Sequence, residues 1–138
     1  MSDHALKARR LWQEIFPAVD TAGVAEIVAA DCVDHSARPG EAQGLEGVRN
    51  TMRFLDAAFS SQRFDVQQTV EQGHTVVVHF VHHGTHTGEL MGLPATNRKF
   101  ANEHIHILRF ENEKAVEHWG LHDHLSLMNQ LGAPGGQP

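Results

Sequence analysis

The chain has 138 residues, 41% of them hydrophobic and 20% charged, with a formal charge of −6 and 12 histidines against no tyrosine. This size and composition fit one hydrophobic core, exclude a disordered chain, and leave no basic footprint for a nucleic-acid partner. No run is long enough to span a membrane, Met1–Arg10 lacks the apolar stretch of a signal peptide, and the lone Cys32 excludes an intramolecular disulfide or thiolate metal cluster, so a cytoplasmic protein is expected.

Residues 3–16 read as a helix, because Leu11, Trp12, Ile15, Phe16 and then Val19 share one face at three- and four-residue spacing. Pro17 and Asp20-Thr21 end it, and Thr21 is placed to cap a second short helix running to Ala30. Cys32-Val33 reads as a brief strand and 36-SARPGEAQG-44 as a loop. A third helix is expected over Leu45–Phe59, where Val48, Met52, Leu55 and Phe59 recur at helical spacing.

The rhythm then changes to strands. Phe64–Gln72 alternates, Gly73-His74 turns, and 75-TVVVHFVHHGTH-86 is rich in β-branched residues. After the loop 88-GELMGLPATN-97 come the strands 98-RKFANEHIHILRF-110 and 115-AVEHWGL-121, joined through Glu111–Lys114. Asp123 is positioned to cap a last helix ending at Leu131, with Gly132 in the C′ position. The segment 133-APGGQP-138 reads as a disordered tail behind a single domain of residues 1–132. Helices first and hairpins afterwards describe an α+β domain: a curved antiparallel sheet packed against three N-terminal helices, with a short C-terminal helix.

The chemistry-bearing residues concentrate in the last two strands. Alternation sends Asn102, His104, His106 and Leu108 to one face, and sends His118, Gly120 and His122 together on the neighbouring strand. Two histidines at i and i+2 suit a proton relay or one metal ion, and suit equally a polar strip facing solvent. Whether the two sets meet depends on register. A strict two-residue turn at Asn112-Glu113 pairs His106 with Trp119, whereas one bulge moves His106 opposite Gly120. His79, His82, His83 and His86 lie on an earlier strand, and structural or exposed roles account for each. Asp34-His35 sets a carboxylate beside an imidazole at the start of a Pro/Gly loop, which suits orientation of a proton-transfer group or a local turn contact. No HExxH, CxxC, GxSxG or phosphate-cradling glycine loop is present, and neither Ser126 nor Cys32 sits in a nucleophile motif.

The blocks 84-GTHTGELMGLPATNRKF-100 and 117-EHWGLHDHLSLMNQLG-132 resemble the SnoaL-like polyketide cyclase, or ester cyclase, family of the nuclear transport factor 2-like superfamily. The resemblance extends to Asp34-His35 and to Gly44–Gly47, and so over nearly the whole chain. It implies an α+β cone, a deep pocket between sheet and helices, and dimers or tetramers formed through the sheet. It also implies closure of a polyketide ring by an intramolecular aldol reaction without metal or organic cofactor, in which an aspartate is the acid/base and a pocket histidine stabilises the enolate. The pocket histidine falls on His106, the histidine of the EHW strand on His118, and a polar pocket-rim position on Asp34. The catalytic aspartate falls on Gly120, which cannot do its work. With positions 106 and 120 both facing the pocket, the resemblance favours the bulged register and turns His104, His118 and His122 inward.

Three readings follow. In the first, histidines take over acid/base chemistry on a small hydrophobic carbonyl substrate: His118 or His122, oriented by Asp34 or Asp123, abstracts a proton while His106 polarises the carbonyl, with His35 as a further candidate beside Asp34. In the second, His104, His106, His118 and His122 hold a divalent metal (Zn, Cu, Mn or Fe) for hydrolysis or oxygenation. In the third, the pocket binds or carries a small ligand without chemistry.

Overall fold

The structure is a computed structural model that describes residues 1–133. Helix α1 (Asp3–Arg10) continues through a π-helical turn (Leu11–Ile15) into a last short turn, α2 (Phe16–Ala18). Pro17 has no N–H to return to the preceding turn. The wider turn keeps Leu11, Trp12, Ile15 and Phe16 buried together. A 3₁₀ turn (Gly23–Glu26) and strand β1 (Val28–Asp34) follow, then α3 (Gly44–Ala58), β2 (Phe59–Gln72), β3 (Thr75–His86), β4 (Lys99–Glu111), β5 (Lys114–His122) and α4 (His124–Leu131).

The five strands form an open, curved sheet in the order β1-β5-β4-β3-β2. β2 to β5 pair antiparallel, as their hairpin spacing predicts. Two features depart from expectation and share a cause. The helix expected from Thr21 to Ala30 is only the 3₁₀ turn, with Ala22 rather than Thr21 at its N-cap position, and Asp20 Oδ1 accepts from Gly23 N at 2.8 Å at its start. The segment from Val28 onward instead runs parallel to β5, pairing Val28 with Ala115 and Asp34 with His118. Tertiary pairing with a long-range partner overrides the local helical preference of its alanines, and the sheet is mixed rather than wholly antiparallel. Phe59, expected to end the third helix, opposes His86 as the first residue of β2.

The helices cover one face of the sheet, called inner here. Its core joins Leu11, Trp12, Ile15 and Phe16 to Val76, Val78, Phe80, Leu108 and Phe110 of β3 and β4. A second cluster beneath α4 joins Phe59, Leu90 and Phe100 to Leu127 and Leu131. Helix α4 ends as its sequence predicts: Asp123 accepts from Ser126 N, and Gly132 takes the left-handed conformation at φ 72°. Ala133, read as the start of the tail, is buried against the fold. The rest of that tail, residues 134–138, lies outside the described residues.

The β4–β5 register contains both alternatives. Asn112 and Glu113 each have positive φ, and Glu111 faces Lys114 across a tight two-residue turn. The ladder then slips by one residue between Arg109 and Phe110, and from there on His106 faces Gly120 and His104 faces His122.

Candidate active site

With that register, strand alternation brings His104 and His106 of β4 to the same inner face as His118, Gly120 and His122 of β5. Asp34, at the end of β1, joins them because parallel pairing sets it beside His118. A continuous hydrogen-bonded row results. His118 Nδ1 lies 2.9 Å from Asp34 Oδ1, His118 Nε2 lies 2.7 Å from His106 Nδ1, and His106 Nε2 lies 3.1 Å from His104 Nδ1. Trp12 packs on His106 at 4.7 Å between ring centroids, and Phe80 stacks on both His104 and His106.

Gly120 is required here for space. A Cβ at this position would lie 2.6 Å from His106 Nδ1 and 3.0 Å from His118 Cε1, well inside contact distance. The volume that a side chain at position 120 would fill is taken by the two imidazoles and the hydrogen bond between them.

The electrostatics follow from burial and these bonds. Burial pushes the Asp34 carboxyl up, but hydrogen bonds from His118 and Ser36 outweigh it and hold the group at about 2. Burial lowers His104 to about 3, aided by His82 and His122, and lowers His106 well below its usual value. His122 is also lowered, by burial first and then by His124. At neutral pH the row therefore holds an ionised carboxylate at one end and uncharged imidazoles at the other.

Three candidates find other places. His35 follows Asp34 and points to the opposite, outer face, where it stacks on Trp119 at 4.6 Å and meets Glu117 at 2.7 Å. It is not part of the row. Asp123 uses its carboxylate as the α4 cap and orients neither His118 nor His122 by a hydrogen bond. His122 is on the inner face but exposed; it stacks on His104 at 5.1 Å and has His124 Nδ1 3.4 Å from its Nε2. His104, read with His106 as a proton relay or a metal pair, is a member of the hydrogen-bonded row.

The four histidines share a face without surrounding a point. Their rings lie nearly parallel: His104 on His106 at 14°, His106 on His118 at 16°, His104 on His122 at 22°. A three-histidine metal site needs lone pairs converging at about 2.0–2.1 Å, whereas nitrogens in this row point along it at one another. Among the described residues no group of three or more His, Cys, Asp or Glu is disposed to hold a metal ion.

Two open depressions, of about 530 and 360 Å³, lie on the outer face of the sheet, one beside His35, Ile107 and Trp119 and the other beside Val70, His79 and Ile105. The candidate proton-transfer groups His104, His106 and His118 lie on the opposite, inner face. Sequence reading missed Trp12 and Phe80 as the walls of this site. The period-two pattern of β3 already turned Phe80 inward, while the placement of Trp12 depends on the π-helical turn.

Comparison with known proteins agrees with this architecture. The profile of the SnoaL-like polyketide cyclase family matches residues 6–131. The aklanonic acid methyl ester cyclase DnrD of Streptomyces peucetius is 33% identical over 99 residues, 71% of this chain and 68% of that protein. The nogalonic acid methyl ester cyclase of Streptomyces nogalater is 34% identical over 92 residues, 66% of this chain and 69% of its own. IdmH of Streptomyces antibioticus, a candidate polyketide cyclase, superposes with a TM-score of 0.82 at 30% identity, covering 94% of this chain and 99% of that one. TsrD of Streptomyces laurentii shares the fold with a TM-score of 0.87 at 22% identity, covering 94% and 96% of the two chains. No described helix is long and apolar enough to cross a membrane. The chain belongs to the SnoaL-like polyketide cyclase family.

Proposed function

We propose that this protein is a cyclase or isomerase that acts on a hydrophobic, polyketide-like carbonyl substrate by histidine acid/base chemistry, with no metal or organic cofactor. The hydrogen-bonded row from Asp34 through His118 to His106 carries this reading. A carboxylate that holds an imidazole, which in turn holds a second imidazole, is an oriented proton-transfer unit. It fills the space in which the family resemblance places an aspartate. Family relatives named as aklanonic and nogalonic acid methyl ester cyclases make a carboxylic acid methyl ester the substrate class of choice.

The test is an assay of chelator-treated protein with aklanonic acid methyl ester and nogalonic acid methyl ester. Wild type is expected to convert one of them, and His106→Ala and His118→Ala are each expected to lower kcat by about 10²–10⁴ with circular dichroism unchanged. Retained turnover in both variants would reject the assignment, and binding of either ester without conversion would favour a carrier.

We also propose that the protein works as a homodimer through the outer face of the sheet. Val33, Val70, Ile105, Trp119 and Leu121 are exposed there, Leu121 at 80%. Ladder pairing makes them neighbours: Ile105 faces Leu121, and Val77 joins Val70 to Ile107 and thence to Trp119. A contiguous apolar surface of this kind on a soluble domain marks an interaction site. Sedimentation of wild type beside Trp119→Glu should show a dimer converted to monomer, and a monomeric wild type would refute the proposal.

A further inference from the structure

The row has a direction, fixed by Asp34. An ionised carboxylate only accepts hydrogen bonds, so the proton between Asp34 and His118 sits on His118 Nδ1. With His118 neutral, its Nε2 is a lone pair, and the 2.7 Å contact requires the proton on His106 Nδ1. The same step along the row places a proton on His104 Nδ1 and leaves His106 Nε2 as the acceptor. One ring nitrogen of the three is then left with a free lone pair, His104 Nε2. Among the described residues it has no hydrogen-bond partner, and it is not sealed from solvent.

We propose that His104 Nε2 is the atom that exchanges a proton with the substrate, and that His104, His106 and His118 work as one unit that stores the resulting charge at His118. This rests on the acid/base reading above and names its reacting atom. In the forward step the C–H bond beside the substrate carbonyl breaks, its electron pair becoming the enolate and its proton bonding to His104 Nε2. The Nδ1 proton of His104 passes to His106 Nε2, and the Nδ1 proton of His106 passes to His118 Nε2. His104 and His106 end neutral with their protons on Nε2, and His118 ends as an imidazolium 2.9 Å from the Asp34 carboxylate. When the enolate carbon closes on a second carbonyl of the same molecule, the new alkoxide takes the proton from His104 Nε2 and every shift reverses. No proton or electron is gained or lost overall.

Burial decides where the charge rests. His104 is packed between Phe80 and His122, and His106 between Trp12, Phe80 and its two neighbours, so an imidazolium at either would be poorly solvated. His118 has a carboxylate in contact, and its side chain and that of Asp34 are 19% and 30% exposed. The other charged or titratable groups that act on the row are His82 from β3, His122 from β5 and, next to His122, His124, Asp123 and Arg38. None of these hydrogen-bonds to His104, His106 or His118. The drier end of the row exchanges the proton, and the wetter end holds the charge.

The test needs no substrate. Long-range ¹H–¹⁵N spectra of the full chain, labelled at histidine, report which nitrogen of each ring carries the proton. The expected result is Nδ1–H in all three rings while His118 carries one proton, changing together to Nε2–H in His104 and His106 wherever His118 carries two. A mixed set at any pH, such as His104 with Nε2–H beside neutral His118, would overturn the proposal. In Gly120→Ala, whose Cβ displaces the His106–His118 contact, His118 should keep its Nδ1 proton while His104 and His106 lose their common tautomer. Turnover adds an independent arm: His104→Ala should lower kcat by about 10²–10⁴ with KM within a few-fold of wild type, and an unchanged kcat would remove His104 Nε2 as the exchanging atom. Since the spectra stand whether or not an ester is converted, failure of the proton order and failure of the cyclase reading are separate outcomes.

Discussion

His106 and Gly120 face each other across the β4–β5 ladder, and the His106 ring occupies the space that a side chain at position 120 would need, with Nδ1 2.6 Å from the site of its Cβ. The two residues therefore specify each other. A Cβ at position 120 would require the His106 ring to move, so Gly120 and the present His106–His118 contact go together.

Substitution at position 120 should consequently damage the site more than the fold. Alanine in place of a strand glycine ordinarily stabilises by roughly 0.5–1 kcal/mol, yet in Gly120→Ala that gain should be offset by displacement of His106. Gly120→Ala and Gly120→Asp should each lower kcat/KM by about 10² or more, on the scale of losing an acid/base group, with native circular dichroism. A Gly120→Ala variant as active as wild type would show that the His106–His118 contact is not used.

Removing the charge at the end of the row should slow the chemistry with little effect on binding. Asp34→Asn keeps an oxygen that can accept from His118 Nδ1 but no longer balances an imidazolium. Steady-state kinetics should show kcat reduced by about 10²–10³ and KM within a few-fold. A change confined to KM would place Asp34 in substrate binding instead.

The same groups make stability depend on pH. His82 and His104 are held at about 3 by burial, and burial also lowers His106 well below its usual value. In the unfolded chain these imidazoles take up protons below about 6.5, so between pH 6.5 and 3 the unfolded state binds more protons and stability falls as pH falls. At pH 5 the loss is about 2 kcal/mol for each such imidazole. Asp34, lowered to about 2, acts in a separate window: its contribution is complete above 3.8 and is lost as pH falls toward 2. Urea denaturation at pH 7 and pH 5 should show a clearly lower midpoint at pH 5, and His82→Phe should flatten that dependence. Equal midpoints at the two values would contradict burial of neutral imidazoles.

Much of this was legible in the sequence, for identifiable reasons. Alternation alone placed His104, His106 and Leu108 together, because a strand fixes side-chain direction at every second residue. The caps at Asp123 and Gly132 are local chemistry and occur where the residues predict. The strand over Val28–Asp34 was not legible, because its stabilising partner is β5, more than eighty residues away in sequence. Its loss as a helix is also what brings Asp34 to His118. His35 lies in the turn one residue beyond β1, and its contacts with Trp119 and Glu117 put it on the outer face, which the sequence of that turn does not dictate. The row's internal hydrogen bonds required the bulge between Arg109 and Phe110, which the residues permit but do not dictate.

Asn102 is a site where function and packing can be separated. It is 1% exposed, and among the described residues neither its amide nitrogen nor its carbonyl oxygen has a hydrogen-bond partner. An apolar residue of similar shape in place of an unsatisfied polar group is close to neutral or stabilising, so Asn102→Leu should leave the thermal midpoint unchanged or raise it. A loss of more than about 2 kcal/mol would reveal a bound partner such as a buried water.

Cys32 should be chemically silent in the folded state. Burial first, and then Asp34 and Asp31, raise its thiol to about 11, and it is 3% exposed. At pH 7.5 a thiol reagent should modify it only after denaturation, and turnover should survive Cys32→Ala. Rapid labelling of the native protein would contradict this packing.

The central claim is that the histidine row, without a metal, moves the substrate proton. The most direct measurement is kcat for the methyl ester substrate proposed above, using chelator-treated wild type beside chelator-treated His118→Ala. The account predicts full activity in the treated wild type and a loss of about 10²–10⁴ in the variant. Equal rates in the two proteins, or a wild type silenced by the chelator and restored by a divalent ion, would contradict it.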